Sequence, residues 1–311
     1  MVISGKGGTG KTSLAASIAV LAERPVIADC DVDAADLHLI LAPHVLERHE
    51  FRSGHQAIIR PADCIGCGAC LANCQFGAVE TTGASSFRIS SVSCEGCGVC
   101  VRFCPTGAID FPERSSGVWM VSQTRCGPMV HARLGVAAEN SGKLVFVVRR
   151  EARRIAEETG RERIIVDGAP GIGCPVIASI TGASEVLVVT EPTVSGEHDL
   201  ERVLALAHHF AVPAVVCVNK WDLNPEMTDR IESAARRVGA WVVGRIRYDN
   251  GVTMAQMQER AVVEVDTPAA KDIVRIWEQL AHPAAGFPEW TADAHRLAEK
   301  GTMTRKPKGE Q

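Results

Sequence analysis

The chain has 311 residues, 33 basic and 37 acidic, for a formal net charge of −4. A balance this even offers no electrostatic footprint for nucleic acid or for an anionic membrane surface. Aromatic residues are only 5 %, so the core has to be assembled mainly from Val, Ile, Leu and Ala.

The first residues, Met1-Val2-Ile3-Ser4-Gly5-Lys6, lack the charged start and apolar stretch of an export signal. No run of about 18 apolar residues occurs, so no membrane-spanning helix is expected. The expected location is cytoplasmic. Twelve cysteines are present, eight of them between positions 64 and 104. Without an export signal, such a cluster points to metal rather than to a disulfide framework.

Val2-Ile3 reads as a short strand, followed by a glycine-rich loop over 4–10, a helix over 11–23 and an apolar strand over 25–29. This strand–loop–helix–strand unit predicts a parallel sheet. Little strand precedes the loop, and a few upstream residues are expected to be missing. Over 57–111 the pattern changes to Cys and Gly with short strands at 57–59 and 87–89. The segment repeats itself at an offset of 30. Cys64-Ile65-Gly66-Cys67-Gly68-Ala69-Cys70 returns as Cys94-Glu95-Gly96-Cys97-Gly98-Val99-Cys100, and Gly77-Ala78-Val79 returns as Gly107-Ala108-Ile109. Two copies of one unit predict a small pseudo-twofold domain.

The α/β rhythm then resumes. Strands are expected at 144–148, 164–166, 186–190 and 214–218. Helices are expected at 151–159, 199–209, 225–238, 253–260 and 271–280. The predicted fold class is α/β, a doubly wound and mostly parallel sheet over 1–56 and 112–281, with an α+β domain inserted at 57–111. The stretch 282–311, which includes Trp290, Leu297, Lys300 and Lys306, is expected to be a loose tail without an amphipathic stripe.

Gly5-Lys6-Gly7-Gly8-Thr9-Gly10-Lys11-Thr12 fits the G-x-x-x-x-G-K-[ST] phosphate loop between a strand and a helix. Glycines let backbone N–H groups converge on phosphate oxygens at a helix N-terminus. Lys11 is expected to reach the β- and γ-phosphates and Thr12 to ligate Mg²⁺. With Lys6 included, the loop resembles that of MinD/Mrp/ParA-type ATPases and the nitrogenase iron protein. The resemblance implies that Lys6 crosses a nucleotide-sandwich dimer to the partner's phosphates. It implies that Asp31, at the end of the second strand, positions the attacking water, with Asp29 and Asp33 nearby. It also implies that Asp167 holds Mg²⁺ and that 168–173 senses the γ-phosphate. Asn219 matches the adenine-contacting asparagine. However, Asn219-Lys220-Trp221-Asp222 also fits the Asn-Lys-x-Asp guanine motif, so ATP is favoured with GTP left open.

Cys64-x2-Cys67-x2-Cys70-x3-Cys74 and Cys94-x2-Cys97-x2-Cys100-x3-Cys104 are two copies of the bacterial ferredoxin run. The fourth cysteine of each run ligates the other cluster in such proteins. One [4Fe–4S] is therefore expected on Cys64, Cys67, Cys70 and Cys104, and the other on Cys94, Cys97, Cys100 and Cys74. Gln75 stands where proline is usual, a local change only. Zinc is the competing reading of Cys-x2-Cys pairs. Cys30 and Cys217 are expected in the core. Cys174, expected as a small buried thiol, could alternatively join Cys126 in a cluster bridging a dimer. His131 is expected to be structural, and His208-His209 to bind no metal.

Together these imply an ATP-hydrolysing protein acting as a homodimer, or as a pseudo-dimer with a related ATPase. Three readings stay open: nucleotide-gated electron transfer to a redox partner, delivery of clusters to an iron–sulfur acceptor in the manner of Mrp-type relatives, and a redox-sensing positioning ATPase.

Overall fold

The computed structural model describes residues 1–83, 85–135 and 140–282. The expected tail beyond 282 lies outside them. The chain forms two compact units, one of Met1–Arg48, Met120–Arg133 and the residues from Ser141 on, the other of His49–Trp119 and Leu134–Asn140.

In chain order the elements are β1 (Val2–Ser4), α1 (Lys11–Leu21), β2 (Val26–Asp29), α2 (Leu37–Leu41), β3 (His44–His55), β4 (Ile58–Ile59), α3 (Ala69–Ala72), β5 (Val79–Gly83), β6 (Ser86–Ile89), α4 (Val99–Phe103), β7 (Ile109–Asp110), β8 (Glu113–Gln123), β9 (Pro128–Leu134), α5 (Ser141–Thr159), β10 (Ile164–Pro170), α6 (Cys174–Ile180), β11 (Val186–Thr190), α7 (Val194–His209), β12 (Ala214–Asn219), α8 (Pro225–Arg237), β13 (Trp241–Ile246), α9 (Gly251–Met257) and α10 (Pro268–Ala281).

The main sheet has the order β13-β12-β11-β1-β10-β2-β9-β8-β3. The pairs from β13 through to β2 are parallel, and so is β2 with β9. From β1 the chain moves outward one way to β2 and later the other way through β11, β12 and β13. The reversal falls at β1, and the crevice at the carboxyl ends of its neighbours is where such sheets bind ligands. Both faces are covered, as a parallel sheet requires. Ile3, Val188, Val216 and Val218 pack into one apolar cluster with helices α7 and α8. Their neighbours in sequence, Val2, Leu187, Val189, Val215 and Cys217, pack into another with α1 and α10. This alternation in fully apolar strands is what the unbroken Val-rich runs encode.

One expected strand is a helix. Residues 144–148 form part of α5, in which Leu144, Val145, Val148, Ala152, Ile155 and Ala156 are buried. That spacing is one helical face, and Phe146, inside the apolar run, is 62 % exposed. A short apolar run is ambiguous between strand and helix; here the continuation through Ala152 and Ile155 decides it. Strands β3, β8, β9 and β13 and helices α2 and α6 were not anticipated.

The second unit shows the repeat as structure. β4 pairs antiparallel with β7 through Ile59 and Ile109, and β6 pairs with β5 through Ile89 and Val79. The two pairings map onto each other at the offset of 30. So do two hydrogen bonds, Arg60 N–H to Ala108 O and Ser90 N–H to Ala78 O, both 2.8 Å. Gly68 and Gly98 precede α3 and α4 with φ of 73° and 72°, a left-handed turn that a side chain would strain. The unit reaches beyond 57–111. Within it His49 stacks on Trp119 at 4.0 Å, and Ser116 Oγ donates to Ser53 O at 2.6 Å.

Candidate functional site

The glycine loop leads straight from β1 into α1, whose preceding residue Gly10 is left-handed at φ 87°. A side chain there would collide with the amide of Asn219. Asn219, at the end of β12, donates from Nδ2 to Thr9 O at 2.8 Å. Lys220 follows in a left-handed conformation and donates to Gly8 O at 3.2 Å. The β12 end therefore holds the loop from above.

Lys11 is buried, and its Nζ lies 2.7 Å from Asp167 Oδ1 and 3.5 Å from Asp31 Oδ2. Thr12 Oγ1 is 3.4 Å from the same nitrogen. Asp29 and Asp167 lie side by side on adjacent strands, at matched register. Asp29 Oδ1 accepts the N–H of Asp31 at 3.1 Å. The structure thus brings three carboxylates and one ammonium together where β2 and β10 end. Asp33 is exposed and belongs to no such cluster.

The electrostatics follow from that count. Burial would lower the Lys11 pKa, but Asp167, Asp31 and Asp29 outweigh it and raise it. Burial raises Asp167, with Lys11 pulling the other way. Burial raises Asp29 strongly, and the Asp167 charge adds to it. Asp29 Oδ2, Asp167 Oδ2 and Thr9 Oγ1 are buried without a hydrogen-bond partner. Unpartnered carboxylate oxygens beside a surplus of negative charge fit a hard divalent cation such as Mg²⁺.

Lys6 points elsewhere. Its Nζ lies 2.5 Å from Glu191 Oε1, 3.0 Å from Ser195 Oγ and 3.4 Å from Thr193 Oγ1. Thr193 caps α7 by accepting the N–H of Gly196. Glu191 also pairs with Lys220 at 3.2 Å. In sequence, 191–199 looks like no more than a strand end and a helix start; the signal within it is an acidic residue directly after a buried strand.

Beyond Asp167, Gly171 adopts φ 92° and its N–H reaches Ser4 O at 2.8 Å, tying the 168–173 segment to β1. Asp222 Oδ1 accepts the N–H of Tyr248 at 2.7 Å and so anchors the turn after β13. His131 is buried against Ser122 Oγ at 2.8 Å, and burial lowers its pKa to about 4.

In the second unit the eight cysteines separate into two cavities. One is lined by Cys64, Cys67, Cys70 and Cys104. The other is lined by Cys74, Cys94, Cys97 and Cys100. The fourth cysteine of each run therefore stands with the first three of the other. Ile59, Phe87 and Ile109 close the first cavity, and Val79, Phe76 and Ile89 the second. Four soft sulfurs spread round a cavity with apolar walls fit a [4Fe–4S] cube better than a tetrahedral zinc. The Ala78 N–H points to Cys74 Sγ at 3.4 Å and the Ala108 N–H to Cys104 Sγ at 3.3 Å. Burial opposes ionisation of Cys104, but the Ala108 N–H and the Thr106 hydroxyl and N–H lower its pKa.

Of the other cysteines, Cys30 and Cys217 are fully buried and burial pushes their thiols up. Cys126 is half-buried, beside an apolar cluster that includes Met129. Cys174 is exposed at the start of α6, which corrects the expectation of a buried thiol. Cys174 opens the helix at the surface, with Pro175 in the first turn, where a missing N–H costs nothing. His208 and His209 sit in the last turn of α7.

The description of a 4Fe–4S dicluster domain matches residues 57–111, the span expected from the repeat. The chain is 36 % identical over 228 residues to the uncharacterized protein MJ0578 of Methanocaldococcus jannaschii, covering 72 % of this chain and 78 % of that one. In fold it is similar to the septum site-determining protein MinD of Pyrococcus horikoshii, solved with Mg-ADP. The TM-score is 0.55 at 14 % identity, over 92 % of this chain and 97 % of that one. It is similar too to the cell division ATPase MinD of Pyrococcus furiosus, with TM-score 0.54 at 16 % identity, over 91 % and 99 %. The architecture is the MinD/ParA P-loop fold together with a dicluster domain. Among the described residues no helix is long and apolar enough to cross a membrane.

Proposed function

The chain belongs to the same family as the Methanocaldococcus jannaschii protein MJ0578, and on that premise we propose that it hydrolyses ATP and uses its nucleotide state to govern electron transfer through two [4Fe–4S] clusters. The observation that carries this reading is the separation of all eight cysteines of the repeat into two cavities of four, in a chain that also has a complete phosphate loop. A delivery protein needs labile ligands. Eight cysteines placed in fours favour resident clusters.

In this reading the backbone N–H groups of Gly5, Gly7, Gly8, Thr9 and Gly10 cradle the phosphates. Lys11 leaves Asp167 for the β- and γ-phosphates. Thr12 and Asp167 hold Mg²⁺, and Asp31 orients the attacking water. Asn219 contacts the adenine. Lys6 supplies a second cation to the phosphates of a paired copy, where it would stabilise charge developing in the transition state. Cys64, Cys67, Cys70 and Cys104 would hold one cluster, and Cys94, Cys97, Cys100 and Cys74 the other. When bound, such clusters supply one-electron couples whose potentials respond to N–H···S hydrogen bonds. Ala78 and Ala108 donate such bonds to the two crossing cysteines. The acceptor is expected to be a redox protein.

The test is EPR of anaerobically purified, reduced protein with and without Mg-ATP, alongside iron content. Two interacting signals that shift with nucleotide are expected. Signals indifferent to nucleotide, with iron passing readily to an apo-protein, would instead make the chain a cluster carrier.

A further inference from the structure

The ammonium of Lys6 has three hydrogens, and three oxygens of its own chain lie around it. Glu191 Oε1, Ser195 Oγ and Thr193 Oγ1 all come from the connection between β11 and α7. To reach a second molecule this lysine has to give up these contacts. We propose that Glu191 is a latch that holds Lys6 against its own protomer and sets how readily two copies pair. The proposal rests on reading Lys6 as the cation that crosses to the paired copy.

The latch is built rather than incidental. Glu191 is 18 % exposed, and both of its oxygens are engaged, Oε1 by Lys6 and Oε2 by Lys220. Lys220 is itself fixed, because its ammonium also donates to Gly8 O inside the phosphate loop. The second oxygen is thereby pinned, and the first stays aimed at Lys6. Burial works against the Glu191 charge, yet the hydrogen bonds from Lys6 and Lys220 lower its pKa, so it stays ionised at neutral pH. Ser195 and Thr193 complete the enclosure at the first turn of α7, where Thr193 also caps the helix. Lys220 shares the Glu191 carboxylate with Lys6, so where Gly8 holds Lys220 sets how fully Glu191 turns to Lys6. Pairing would thus draw on a lysine that its own chain keeps folded back.

A partly exposed ion pair of this kind changes an equilibrium by about threefold. Two symmetry-related latches in a pair would multiply to about tenfold.

The experiment has two readouts on the full, cluster-loaded chain. The first is competitive acetylation of Lys6 in dilute protein, with Lys271 as internal reference, quantified by mass spectrometry. Glu191→Gln keeps the shape and removes the charge, and should raise Lys6 labelling about threefold. Ser195→Ala should raise it by a smaller factor in the same direction. The second is sedimentation with Mg²⁺ and a non-hydrolysable ATP analogue, in which Glu191→Gln should tighten pairing about tenfold. Unchanged Lys6 labelling in both variants overturns the latch, whatever the pairing does. Labelling that rises as expected in a chain that never pairs keeps the latch and overturns the pairing reading instead.

Discussion

The crossing of the fourth cysteines can be tested by asking which losses add. Cys104 belongs to the second run by sequence, but lines the cavity of Cys64, Cys67 and Cys70. Cys97 belongs to the same run but lines the other cavity. Two [4Fe–4S] clusters correspond to about eight iron atoms per chain. Cys104→Ala leaves three thiolates in one cavity and four in the other, so iron should fall to about four. The informative constructions are double variants. Cys104→Ala with Cys67→Ala strikes one cavity twice and should still retain about four. Cys104→Ala with Cys97→Ala strikes both and should leave almost none. Sites within one assembly are non-additive while independent sites add, which is the logic of a double-mutant cycle. Iron and acid-labile sulfide, measured on anaerobically reconstituted protein, give the numbers directly. The second readout is EPR, where the broadening from two coupled centres should vanish in the first double variant while one simple signal remains. If the Cys104/Cys67 pair loses everything and the Cys104/Cys97 pair keeps half, each run ligates its own cluster and the reasoning is wrong.

Two further outcomes are expected. Asp222 spends its carboxylate on the Tyr248 N–H, so Asp222→Asn, which can still accept that bond, should alter the ratio of ATP to GTP affinity by less than about threefold; competition against a fluorescent nucleotide would expose a guanine-reading role as a much larger change. His131 has a folded pKa of about 4 against 6.5 for the free side chain, so its contribution is complete above pH 6.5 and is lost as pH falls towards 4. Between pH 8 and pH 5 the loss works out at about 2 kcal/mol, which His131→Gln should remove from the pH dependence of urea unfolding.

Much of the site was legible because its parts are local. The phosphate loop, the two cysteine runs and the strand-end acids each occupy fewer than about a dozen consecutive residues, and each spacing has a chemical reason. The apolar strands β11 and β12 were legible for the same reason, since burial on both faces removes polar residues from the run. What failed was set by partners distant in sequence. Residues 144–148 look like such a strand until the burial of Ala152 and Ile155 assigns them to a helical face. β3 carries mostly exposed residues over its twelve positions, so no hydrophobic period marks it. Glu191 and Lys220 are ordinary charged residues in sequence. Only the fold brings Glu191 to Lys6 and Lys220 to Gly8, each across more than 180 positions, and the two to each other across 29.

The charge count around Lys11 bears on what holds the buried acids together. Three carboxylates face one ammonium, with Asp29 and Asp167 both essentially inaccessible. Burial opposes the charge of both acids, and at Asp29 the neighbouring Asp167 charge adds to it, which is why both are raised. Lys11 at 2.7 Å from Asp167 Oδ1 offsets part of this and leaves Asp167 Oδ2 without a partner. In the proposed reading Lys11 would move to the phosphates and Asp167 would hold Mg²⁺. Phosphate alone should therefore bind poorly, because it removes the lysine from Asp167 and supplies no cation in return. The requirement for Mg²⁺ would then arise from the buried acids of β2 and β10 as much as from the nucleotide itself.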